Sequence, residues 1–97
     1  MICRKLMFVS CLVLSPVCFA QHTNTALLAS ACASCHGTNG HSVGGTPSLA
    51  GLDEDYFFQQ MQQFQSGKRA SSVMQQHALG YKEDEIRELA KYFAGQK

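Results

Sequence analysis

Residues 32–36 read CASCH, and beyond residue 20 the chain has no cysteine outside this stretch. The other three of its five cysteines are Cys3, Cys11 and Cys18. Two thiols separated by two residues, with an imidazole directly after the second, make a small and specific set of donors. A disulfide between Cys32 and Cys35 would close too short a loop to stabilise a fold. A dithiol redox pair of the thioredoxin kind needs a strand–helix–strand setting, and the surrounding sequence lacks one. Zinc would need Cys32, Cys35, His36 and a distant residue such as His77, but adjacent Cys and His side chains seldom both reach one tetrahedral ion.

Upstream, MICRKLMFVSCLVLSPVCFA has the layout of a secretory signal peptide. Arg4 and Lys5 make its positive start, Leu6 to Leu14 its apolar run, and Ala20 its small-residue end, so cleavage is expected after Ala20. The apolar run is shorter than the ~20 residues that cross a bilayer, so no membrane span is expected after cleavage. The expected domain is then 21–97, with Cys3, Cys11 and Cys18 leaving with the leader. It carries six Lys or Arg against seven Asp or Glu, within a whole-chain formal charge of +1. No basic stripe is present, which argues against a nucleic-acid partner. A domain this small, with no tryptophan, is short of core and is expected to complete it with a cofactor.

Downstream, the pattern predicts an all-α domain. Residues 24–32 read as a short Ala/Leu-rich helix with Thr23, Asn24 or Thr25 as cap. Residues 37–51, GTNGHSVGGTPSLAG, hold five of the eight glycines and read as a long irregular loop. Residues 52–67, LDEDYFFQQMQQFQSG, read as a second helix: Asp53 caps it, Glu54 and Asp55 favour its dipole, and Phe57, Met61 and Phe64 share a face. Leu52 is placed to staple onto Phe57 across the cap, and Gly67 stops the helix. Residues 68–81 lack a period and read as a second loop. The last helix is expected over about 82–94, with Ile86, Leu89, Ala90 and Phe93 as its buried stripe.

Cys-x-x-Cys-His is the attachment pattern of c-type haem. Cys32 and Cys35 would form thioethers with the haem vinyl groups, and His36 would stand under the iron as an axial ligand. For the opposite side of the iron the sequence offers Met61, Met74, His41 and His77. Met61 lies in an apolar helix face, where methionine usually fills core. His41 stands among glycines close to the attachment site, poorly placed to cross the macrocycle. Met74 is far enough along the chain to do so, and its thioether would favour Fe(II). His77 stays open as an alternative, as does an open sixth position suited to ligand sensing or peroxidase chemistry. A metal-bound imidazole needs an acceptor for its second N–H, and the Pro47 carbonyl in TPSL is a suitable one, with Leu49 packing on the haem.

CASCHGTNG, TPSLAGL, QSGKRASSVM and GYKEDEIRELAKYFAGQ together resemble a short class I bacterial cytochrome c, in the right order over nearly all of 21–97. The resemblance implies three to four helices around one covalent haem, with the first and last crossing. Leu27, Leu28 and Ala31 would meet Leu89, Tyr92 and Phe93 there. It also implies Met74 as sixth ligand and the Pro47 carbonyl as partner of His36. Tyr56, Gln60, Lys68 and Arg69 lie where such proteins often bind haem propionates, although solvated surface suits them equally. VMQQHALGYKEDEI and AKYFA are further similar to the cytochrome subunits of flavocytochrome c sulfide dehydrogenases. Those subunits can be longer diheme chains, whereas this one has a single attachment motif. Lys82 stands where Ser or Thr often caps the last helix.

Two functions follow as expectations. One is a periplasmic electron carrier with a single His/Met-ligated haem iron and no substrate chemistry of its own, serving redox partner proteins. The other is the haem subunit of an enzyme, accepting electrons from a flavoprotein that oxidises sulfide.

Overall fold

Asn24 begins the described part of the chain: the computed structural model describes residues 24–97, and the expected leader over 1–20 lies outside them, as does Thr23. Asn24 caps α1 (Thr25–His36), its side-chain oxygen accepting from the Leu27 N–H at 3.3 Å. The helix runs four residues further than the Ala/Leu-rich stretch suggested and carries the whole CASCH segment. Gly37 ends it at φ 85°, where an added Cβ would collide with the His41 carbonyl, so only glycine turns the chain here.

A short 3₁₀ turn, Thr38–Gly40, follows, and Asn39 adopts a left-handed φ of 53°. The Gly40 carbonyl accepts from the N–H groups of both Leu49 (2.8 Å) and Ala50 (3.1 Å). The expected irregular loop is therefore a closed one, pinched at its neck and clasped inside by the Ser42 N–H donating to Ser48 Oγ at 3.0 Å.

Helix α2 (Glu54–Ser66) starts at Asp53, which accepts from the Tyr56 N–H at 3.0 Å, and stops at left-handed Gly67. It buries the expected face of Phe57, Met61 and Phe64. The second expected loop contains a helix: α3 (Ser72–Leu79), capped by the Ser71 hydroxyl on the Met74 N–H at 3.1 Å. The missing period has a physical cause, because among its described side chains α3 buries only Ala78 completely and leaves Val73 and Leu79 exposed.

Helix α4 (Glu83–Ala94) buries Ile86, Leu89, Ala90 and Phe93, each at most 1% exposed. Its N-cap is Lys82, whose side chain has nothing to accept with. Half of a capping box survives: the Glu85 carboxylate accepts from the Lys82 N–H at 2.9 Å, while the Glu85 N–H turns to Asp84 Oδ1 at 3.0 Å.

The described residues form four α-helices and no strand. Helix α4 packs on both α1 and α2, and α3 packs on α2. The Phe57 and Phe93 rings lie 5.6 Å apart, joining α2 to α4. The α1–α4 contact differs from expectation. Leu27 is 70% exposed and Ala31 is exposed, while Ala29 is buried and Leu28 and Cys32 pack partly against the core. The reason is helical geometry: Ala29, Cys32 and His36 fall at i, i+3 and i+7 on one face, and Leu27 lies about 200° round the helix from Ala29. No described helix is long and apolar enough to cross a membrane.

Candidate functional site

A cavity of about 570 Å³ opens between α1, the segment 46–49, α2 and the stretch from Arg69 to Tyr81. That is the size of a site for a sizeable organic ligand. Its walls are mainly apolar, including Leu49, Leu52, Phe57, Met61 and Phe64.

His36 is 8% exposed on this wall, in the last turn of α1. Its Nδ1 stands 2.6 Å from the Pro47 carbonyl oxygen. A carbonyl can only accept, so Nδ1 carries the proton and donates it. In the neutral ring Nε2 then holds the lone pair, and Nε2 is buried with no hydrogen-bond partner. A buried, oriented and unsatisfied imidazole nitrogen is costly unless something electrophilic completes it.

Cys32 and Cys35 are both free thiols on the cavity wall, one turn apart on the same side of α1. Burial pushes the Cys32 thiol up from its ordinary pKa, with the Tyr81 hydroxyl partly offsetting this. The Tyr81 hydroxyl is itself pushed up by burial, by Cys32 and by Glu85. A raised thiol is the opposite of what a redox-exchange pair needs, since the thiolate is the attacking species there. Among the described residues no cluster of three or more His, Cys, Asp or Glu could hold a metal ion by itself, so the zinc alternative lacks its ligand set.

The candidate donors divide. Met61, Met74 and His77 line the cavity; exposed His41 does not. Met61 is 5% exposed within the core cluster, as expected of a core methionine, and Met74 is partly buried on α3. Pro47 and Leu49 both lie on the wall, as do Tyr56, Gln60 and Arg69, but not Lys68. Arg69 donates to Gln60 Oε1 at 2.5 Å and lies over the Phe64 ring, 4.7 Å from its centroid.

Two groups near the site escape sequence reading. Tyr81 donates to the Leu28 carbonyl at 3.1 Å. Gln65 donates to the carbonyls of Ala78 (2.8 Å) and Tyr81 (3.1 Å). These contacts span 13 to 53 positions, and no local pattern reports them.

One wall thus brings together two free thiols and one aimed imidazole nitrogen at a cavity of about 570 Å³. This set fits an iron macrocycle attached through both sulfurs.

Comparison with known proteins agrees. The family model described as Cytochrome c matches residues 24–97. The cytochrome subunit of sulfide dehydrogenase from Chlorobaculum tepidum is 42% identical over 67 residues, covering 69% of this chain and 61% of that protein. The thiosulfate dehydrogenase electron acceptor of Stutzerimonas stutzeri is 39% identical over 64% of this chain and 30% of its own length. Cytochrome c4 of Pseudomonas aeruginosa is 36% identical over 71% of this chain and 35% of its own length. The chain therefore spans less than two thirds of each of these relatives.

Proposed function

Because this chain belongs to the cytochrome c family, whose members carry covalently bound haem with iron, we propose that it is a periplasmic single-electron carrier with its haem iron held between His36 and Met74. The observation that carries this reading is the His36 Nε2 lone pair, buried and unpartnered at the cavity wall while Nδ1 is committed to Pro47.

Bound haem supplies an iron that alternates between Fe(III) and Fe(II). The residues of this chain do the rest. Cys32 and Cys35 hold the group as thioethers, so it cannot dissociate between redox partners. Pro47 fixes the tautomer and ring orientation of His36 and makes Nε2 a stronger donor. Met74 offers a soft thioether that favours Fe(II) and raises the potential. Leu49 and the aromatic walls keep water away, which also disfavours the more highly charged oxidised state. Export rests on the signal-like 1–20 segment; intact mass of periplasmic protein lacking those residues tests it.

The test of ligation is the Met74→Ala holoprotein. Its expected result is loss of the sulfur–iron(III) charge-transfer absorption and a lower reduction potential; an unchanged spectrum and potential refute the assignment.

A second reading is favoured by the similarity to the Chlorobaculum tepidum subunit. Here the same haem accepts electrons from a partner flavoprotein that oxidises sulfide. A permanent interface is large and apolar, a transient redox contact smaller and more polar. Co-purification with a flavin-containing chain selects this reading, and purification alone selects the carrier.

A further inference from the structure

We propose that Gln65 is a positioning residue for the Met74 sulfur, anchoring the helix that carries it. The inference rests on the His36/Met74 reading above and extends it to a residue outside the cavity wall.

Helix α3 is short and weakly rooted. It has eight residues, and among its described side chains Ala78 alone is completely buried. The three residues before its cap, Lys68 to Ala70, are exposed. Its last carbonyls, like those of any helix, lack intrahelical donors. His77 O receives the Gly80 N–H and Ala78 O receives the Tyr81 N–H at 3.3 Å, a long bond. Gln65 Nε2 adds a second, shorter bond, donating to Ala78 O at 2.8 Å and also to Tyr81 O at 3.1 Å. Both partners can only accept, which fixes the orientation of the amide with its nitrogen toward them.

Position matters as much as energy. Met74 and Ala78 are one turn apart on the same face of α3, so a tether at Ala78 sets the rotation of the helix and with it the place of the sulfur. The other end of α3 is held by Ser71 on the Met74 N–H. Through Tyr81, whose hydroxyl donates to Leu28 O at 3.1 Å, the same tether reaches α1, the helix of Cys32 and His36. Gln65 thus ties the side of the cavity bearing Met74 to the side bearing His36 through backbone carbonyls.

An external ligand binds the iron only when the sulfur is off. Its apparent affinity therefore rises in proportion as the closed, sulfur-bound arrangement is weakened. The probe is imidazole, titrated by absorbance into the ferric holoprotein, with the sulfur–iron(III) charge-transfer absorption followed in parallel. Gln65→Glu keeps the shape and removes both donors; Gln65→Leu does so without adding a charge and covers a folding failure of the first. Each is expected to bind imidazole about tenfold more tightly, the equivalent of about 1.4 kcal/mol. Tyr92→Phe removes a comparable bond, to Asn39 at 2.8 Å, away from α3, and is expected to stay within about twofold of the unmodified protein. If Met74→Ala leaves imidazole affinity and absorption unchanged, the ligand reading fails. If Met74→Ala changes both but the Gln65 variants match Tyr92→Phe, Gln65 is merely structural and the positioning role is overturned.

Discussion

The Pro47 carbonyl holds the His36 ring by Nδ1 at 2.6 Å, and that single bond leaves Nε2 as the buried, unshared electron pair. It joins the closed loop after the 3₁₀ turn to the last turn of α1, so loop geometry is coupled directly to the donor strength of the imidazole. Pro47→Ala keeps the carbonyl but frees φ. We expect the midpoint potential to rise by up to about 40 mV, because a hydrogen bond worth about 1 kcal/mol that favours the ferric state is weakened as the carbonyl loses its fixed position. Voltammetry checks this; a lowered potential contradicts the role given to Pro47.

On the proposed His36/Met74 ligation, replacing the thioether with a second imidazole is expected to reverse the preference for Fe(II). Met74→His is expected to remain six-coordinate and low-spin while its potential falls by on the order of 200 mV, within the range that axial ligands command. Redox titration with absorption spectra of both states measures it. A potential within experimental error of the parent value rules out the sulfur ligand.

Gly40 is a tight spot. At φ 80° an added Cβ would stand 2.8 Å from the Ala50 nitrogen and 2.9 Å from Phe93 Cδ1. Gly40→Ala is expected to cost about 2–4 kcal/mol, from left-handed strain and overpacking together. Guanidinium unfolding of the holoprotein reads this as a lower midpoint at constant slope. An unchanged midpoint would mean that the loop neck yields freely.

Phe93 joins three parts of the fold. It is 1% exposed, its ring meets Phe57, and its carbonyl accepts from the Gly51 N–H at 2.8 Å. Phe93→Ala is expected to cost about 3–5 kcal/mol in holoprotein stability. Calorimetry is a suitable measure, and a loss below about 1 kcal/mol would contradict a shared α2–α4 core.

Much of this was legible locally. Asp53 and Gly67 bound α2 because a cap and a left-handed stop are single-residue chemistry, and the α4 stripe is a plain helical period. CASCH names its own cofactor because vinyl spacing and iron ligation constrain adjacent residues. Helix α3 was not legible, since a helix whose described side chains include just one completely buried alanine leaves no apolar period to read. The face of α1 was misjudged for a related reason: where small residues allow close approach, Ala29 is buried and the larger Leu27 stays outside. Gln65 and Tyr81 act on carbonyls far along the chain, and backbone acceptors carry no sequence signature.

The most direct test is a mass map of the coloured, periplasmically matured protein after extraction with acidified acetone. The account predicts that the pigment stays in the protein, that the proteolytic peptide containing Cys32 and Cys35 carries the added mass of one haem, and that neither thiol reacts with iodoacetamide. Extraction of the pigment, or alkylation of both thiols in the coloured protein, would contradict it.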